Sequence, residues 1–304
     1  MLRARTAATL FLLLAAAGAR AQTAGMKDPN RGPGGPRNPL VVDGDRWYGR
    51  RQEGRNGSVA SAGPINQAIS NYDEASRAPD QLEARWKLVR ALYFKGVYTG
   101  LDNDSRRAVF EKARRIAQEA LALVNKSGGV EDVQDFLKLG PEFLSGKLKD
   151  RSDAAPTYFW AAVAWGEWAL AKGKVEAAKA GAAETIRDYA LTVIGIDPEF
   201  EEGGGYRILG RLNDQAPWIP FITGWVSEEE AVKSLRLAMG VDNRNFVNRH
   251  FLAEALHKGD AKAKAEAVDL EENIVKDTPS PQHLVEELKI QDDARANLAA
   301  WKKD

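Results

Sequence analysis

The sequence predicts an all-α protein: a right-handed solenoid of tetratricopeptide-like helical hairpins behind an export leader and a flexible tail. Three observations carry that expectation. From Pro64 onward, apolar residues recur at spacings of three and four, one face of a helix. No run shows the period-2 alternation of β-branched residues that a strand requires. In the second half of the chain, small residues and helix-closing breakers return at intervals near 34 residues, the tetratricopeptide period.

The first 21 residues read as a secretory signal peptide. Arg3 and Arg5 precede an apolar stretch over 7–17, and Ala19-Arg20-Ala21 supplies a small-x-small cleavage pattern, so the exported chain is expected to begin at Gln22. The stretch falls short of the ~20 apolar residues needed to span a bilayer, and no membrane anchor is expected. With no cysteine in 304 residues, neither disulfides nor cysteine acylation are available. The expected location is the periplasm or the medium.

Residues 22–62 read as a flexible tail. Gly32-Pro33-Gly34-Gly35-Pro36 and the Gly/Arg/Asn-rich stretch 49–57 carry too little periodic apolar content to offset the entropy of ordering. Val41, Val42, Trp47 and Tyr48 are the exception and suit docking of one short piece on the main body. The helical domain is expected over 63–304.

Pro64 suits a first helical position, with Ile65, Ala68, Ile69 and Tyr72 following at helical spacing. Asp80 reads as the N-cap of a helix carrying Leu82, Trp86, Val89 and Tyr93. Asp104 or Ser105 opens the next, which Gly128-Gly129 ends. One or two short helices are expected across 133–144. An aromatic helix follows over 154–171, with Tyr158, Ala161, Trp165 and Trp168 at i, i+3, i+7 and i+10. A long partner is expected over 175–196, then helices over 199–213, 227–240, 245–258, 260–277 and 281–301.

The repeat is carried by three units. Ile186, Ala190, Val193 and Pro198 close one hairpin. Leu209-Gly210 with Ala231, Leu235, Ala238 and Asn243 form the next, and Leu252-Ala253, Leu256, Ala267, Ile274 and Pro279 a third. Small residues at these places let the paired helices approach closely.

Three segments resemble the TRAP-transporter T-component (TatT-like) family of periplasmic tetratricopeptide repeat proteins. They are the aromatic helix from Tyr158 to Gly166; Ile196-Asp197-Pro198-Glu199-Phe200 with the following run from Gly203 to Gly210; and the loop Ala216-Pro217-Trp218-Ile219-Pro220 with the later run from Phe251 to Leu256. Together they span roughly 65–278. The resemblance implies a helical, non-enzymatic protein that associates with an extracytoplasmic solute-binding protein and holds a small apolar ligand. Two features depart from the family pattern: the lipoprotein cysteine is missing, and the loop before Ser227 ends Gly224-Trp225 instead of Gly-Asp.

Trp160, Trp165 and Trp168 are candidate ligand- or partner-binding residues because indoles suit an apolar channel, although a stripe of aromatics at helical spacing more often packs in a core. Trp160 and Trp165 stand about 140° apart on a helix of 3.6 residues per turn, so at least one is expected to face a cavity, a neighbour or solvent. Trp218, Phe221 and Trp225 are the candidates from the unusually apolar loop 216–226, which must cap the core, close a pocket or meet a partner. Folded back over the 154–171 helix, that loop would make a lidded pocket.

The sequence carries no catalytic signature. Gly205-x4-Gly210 lacks the Lys-Ser/Thr of a phosphate loop, and there is no Gly-x-Ser-x-Gly elbow or nucleophilic cysteine. His250, Glu254 and His257 share a helical face, but without His-Glu-x-x-His or a fourth ligand they read as a solvated polar face. Glu201-Glu202 and Glu228-Glu229-Glu230 read as helix-start charges. Lys plus Arg equals Asp plus Glu at 43 each, so no global field draws the chain to nucleic acid. No cofactor or metal is expected. A general envelope scaffold that binds protein segments is the alternative to a transport accessory. N-terminal sequencing of exported material should begin at Gln22 or within a few residues of it; an intact Met1 on a cytoplasmic protein would contradict the export leader.

Overall fold

The computed structural model describes residues 37–303 apart from 131–132, 218 and 220–222, and leaves the side chains of 133–138 aside. The expected signal peptide and the first part of the expected tail lie outside the described residues. Among those described, the chain is all-helical, and its only β-type pairing is an isolated bridge between Asn56 and Val59. No described helix is long and apolar enough to cross a membrane.

The expected tail is corrected from Arg37 onward. Asn38 caps α1 (Pro39–Gly49) by accepting from Leu40 N at 3.0 Å, and Pro39 takes the first helical turn, where its missing N–H costs nothing. Val41 and Gly44 are buried. Asp45 accepts from the Tyr72 hydroxyl and from Lys87 Nζ, each at 2.7 Å, which ties α1 to α2 (Ala62–Ala75) and α3 (Leu82–Tyr98). The tail reading failed because the partners are remote in sequence: Val41 is buried, Trp47 and Tyr48 pack on the core as the docking exception allowed, and the ion pairs of Asp45 add to them.

Most later elements fall close to the expected positions, with differences at their ends. The cap of α3 is Gln81, without a side-chain bond, instead of Asp80. That of α4 (Asn103–Ser127) is Asp102, which accepts from Asp104 N and Ser105 N. α5 (Val133–Leu148) breaks at Gly140. α6 (Ala154–Lys172) is the aromatic helix, and fifteen of its residues are buried, so it is enclosed over most of its length. Its long partner is two pieces, α7 (Lys174–Lys179) and α8 (Ala182–Ile196), because Gly181 adopts φ 65° between them. α9 (Phe200–Gln215), α10 (Glu228–Val241), α11 (Phe246–Leu256), α12 (Ala261–Lys276) and α13 (Leu284–Trp301) complete the chain.

The helices alternate in their contacts. α3 meets α6, α6 meets α9, α9 meets α11 and α11 meets α13. α4, α8, α10 and α12 each lie against two successive members of that row. Gly210 shows why the spacing is close: a Cβ there would stand 2.5 Å from Leu235 Cγ and 3.1 Å from Ala231 O, so α9 reaches α10 only with no side chain at this position. Ala231, Leu235, Ala238, Ala267 and Ile274, all repeat positions, are fully buried.

The first and last members of the row are bridged. Arg51, just past α1, donates from Nε to Glu286 Oε1 at 2.9 Å and from Nη2 to Gln282 O at 2.7 Å, with its guanidinium 5.4 Å from the Phe94 ring of α3. Leu284 N donates to Gln52 Oε1 at 3.0 Å, and Ser58 Oγ to Asp292 Oδ2 at 2.8 Å. The Arg51 and Glu286 side chains are 7% and 4% exposed, so neither charge is shared with water. Glu286→Ala should therefore cost about 3 kcal/mol by stranding Arg51, while Arg51→Met with Glu286→Leu should cost far less. Urea denaturation of the two variants checks this order; equal losses would contradict a buried, mutually dependent pair.

Candidate functional site

An open groove with about 780 Å³ free of protein atoms, including its mouth, lies between α6, α7, α8, α9 and the segment after α9. Gly166, Ala169 and Leu170 form its α6 wall, and Ala177 and Ala178 its α7 wall. Ala182, Ala183 and Ile186 come from α8, and Ile208 and Leu212 from α9. Lys174, Glu184, Arg211 and Gln215 supply the charged and amide groups. Such walls offer an apolar body dispersion contacts and release of water, with few groups to fix a polar one.

The segment after α9 lines the groove through Pro217, Ile219 and Thr223, together with Gly166, Ala169 and Leu170 of the aromatic helix. Thr223 fastens the segment to itself, and Asn213 ties its far end to α9. The buried Thr223 Oγ1 accepts from Ile219 N at 2.9 Å and donates to Pro217 O, while Ser227 N donates to Asn213 Oδ1 at 3.2 Å. Sequence reading passed over Thr223, whose signal, a lone hydroxyl in an apolar loop, was present but small.

The tryptophans stand elsewhere. Trp160 is 1% exposed and packs between Tyr93 of α3, 5.7 Å away, and Phe159 at 5.1 Å. Trp165 and Trp168 meet edge to face at 5.4 Å and turn to α4, with Arg114 over both rings and Trp168 Nε1 donating to Glu111 Oε2 at 2.8 Å. All three are buried against neighbouring helices, and none lines the groove. Two faces of α6 thus hold indoles because two different helices pack there, and the groove opens along its small residues. Trp225 is half-buried beneath the Arg187 guanidinium at 4.8 Å and also stands outside the groove. Trp218 and Phe221 lie outside the described residues.

His250, Glu254 and His257 are corrected too. His250 is buried, with Nδ1 2.9 Å from Glu271 Oε1. Burial opposes its charge, but the Glu271 and Glu254 carboxylates outweigh that and raise its pKa. Glu254 is taken by Arg211, and His257 stacks on Trp301 at 4.0 Å and 9°. The face reads as solvated in sequence and is internal because α9, α12 and α13 supply its partners. Among the described residues no group of three His, Cys, Asp or Glu side chains is placed to hold a metal ion.

No family model matches the chain, and no curated protein matches it. Thr223→Val removes the hydroxyl at nearly constant shape and strands Ile219 N–H and Pro217 O, so it should cost about 1–3 kcal/mol. Amide exchange across 216–227 should quicken more than elsewhere; unchanged protection there would show that other contacts hold the segment.

Proposed function

We propose that the protein is a non-enzymatic, exported, tetratricopeptide-like solenoid. It serves a solute-uptake system of the TRAP type by docking on an extracytoplasmic solute-binding protein, and it holds a small apolar ligand in the groove. The observation that carries this reading is the groove itself, apolar on the walls built from α6, α7, α8 and α9 and lined also by the segment after α9. The alternating helix contacts support the solenoid, since each outer helix wedges between two inner ones as stacked hairpins require. The repeat positions support it as well: Gly210 against Ala231 and Leu235 is the close approach that a small first-helix residue is there to allow.

Docking on a partner uses surface that the groove leaves free, and the resemblance names the kind of partner. The ligand is apolar because the walls offer contact area and almost no hydrogen-bonding groups. A neutral fluorescent hydrocarbon, N-phenyl-1-naphthylamine, is the direct probe. Its emission should rise on adding the protein, and Ala169→Phe, which fills the α6 wall, should weaken binding at least tenfold while melting changes little. Undiminished binding by a folded Ala169→Phe protein would remove the ligand from the groove. Co-precipitation from envelope extract should recover a solute-binding protein; recovery of many unrelated envelope proteins instead would favour the general scaffold.

A further inference from the structure

The groove wall formed by α7 differs from the others in how it is held. Gly173 stands between α6 and α7 at φ 94° and ψ 160°, a region open almost only to glycine. Gly181 stands between α7 and α8 at φ 65° and ψ 32°. At both positions a Cβ would meet nothing within 4 Å, whereas one at Gly210 would strike Leu235. Close packing therefore explains Gly210, and only the backbone turn explains Gly173 and Gly181. The six-residue α7 hangs between two glycine pivots.

Little fastens α7 between those pivots. None of its residues is buried, and Ala177 alone of them packs partly against the core. Its one side-chain hydrogen bond or ion pair among the described residues, Lys179 Nζ to Glu176 Oε1 at 2.9 Å, lies within the helix. The other helical walls, from α6, α8 and α9, are long helices with many buried residues. Lys174, Ala177 and Ala178 line the groove. Val175 stands about 100° round the helix from Lys174. It is 67% exposed, the most exposed large apolar side chain among the described residues. A valine left in water beside an apolar groove gains from any motion that covers it.

We propose that α7 is a hinged lid: it turns on Gly173 and Gly181 towards the α9 wall when an apolar ligand occupies the groove, and the turn carries Val175 from water onto that ligand. The inference rests on the groove taking such a ligand, as proposed above. Glycine pivots absorb the φ and ψ changes without a side-chain clash, and a short helix moves as one body because its own hydrogen bonds stay intact. Closing removes water from the apolar walls and lets Ala177 and Ala178 follow the shape of the ligand. Without a ligand the lid has nothing to close on and samples more than one position.

The test uses the absence of cysteine from the chain, which lets substituted cysteines take nitroxide labels at chosen sites only. Lys179→Cys with Leu237→Cys, both at exposed positions, reports the distance from α7 to α10. Leu191→Cys with Leu237→Cys reports α8 to α10 as the control. In pulsed electron paramagnetic resonance the α7 pair should give a broader or two-peaked distance distribution than the control. Saturating N-phenyl-1-naphthylamine should collapse it to one narrow peak and leave the control unchanged. Val175→Ser should weaken probe binding at least about threefold, while Val175→Ile should keep it. An α7 pair as narrow as the control and unmoved by bound probe would overturn the lid and leave the groove standing as a rigid site. Unaltered probe affinity in Val175→Ser would also overturn it, since Val175 would then stay in water. Absence of any emission rise with the probe would remove the groove reading, and the lid with it.

Discussion

Arg51 and Glu286 stand 235 positions apart in the chain, and each keeps the other's charge tolerable inside the protein. Two side chains almost wholly removed from water would be expelled singly, so the pair forms only when the N-terminal segment and α13 are both in place. That condition joins the first and last helices of the row α3, α6, α9, α11, α13. It brings Tyr48, Arg90, Glu201 and the start of α13 into one interior, and it turns a row of helices with two ends into a structure whose ends are bonded. Burial also lowers His283 to about 4, with Arg51 and Arg90 adding to the effect, so the start of α13 presents a neutral imidazole to this region.

The rest of the row is held by apolar packing and by the absence of side chains. Gly210 lets α9 sit against Ala231 and Leu235, and the indoles of α6 are shared out between α3 and α4. What remains open on α6 is its small-residue side, Gly166 and Ala169, and the groove is the space those residues leave. A helix rich in tryptophan therefore contributes to the groove mainly through what it lacks there.

The groove and the polar interior have opposite chemistry because they arise differently. The groove lies between consecutive helices and a local segment, so its walls carry the apolar residues that neighbouring hairpins pack with. The polar interior lies where distant parts of the chain meet, and ion pairs and amide networks do the joining. Asn248 shows the density of that bonding: its Nδ2 faces Glu202 O, Ala238 O and Asp242 O within 3.1 Å, while its Oδ1 accepts from Arg207. Buried polar networks of this kind specify one arrangement when satisfied.

The helical class, the order of the helices and most of their extents follow from local signals, because apolar periodicity, capping residues and glycine breaks act over a few residues. Those signals in the sequence also determine which repeat positions are buried, since Ala231, Ala238, Ala267 and Ile274 sit on local apolar faces. The tertiary structure alone decided where those faces turn. Periodicity places Trp160 and Trp165 on different sides of α6 but does not say whether a cavity or another helix stands opposite; α3 and α4 do. Likewise, His250 and Glu254 read as a solvated face until Glu271 and Arg211 arrive from other helices to pair with them. Residues 37–62 read as a tail because their stabilising partners, Lys87, Tyr72 and Glu286, are remote in sequence. Charge pairing over long separations leaves no periodic trace, so a sequence shows the charges without showing which of them meet.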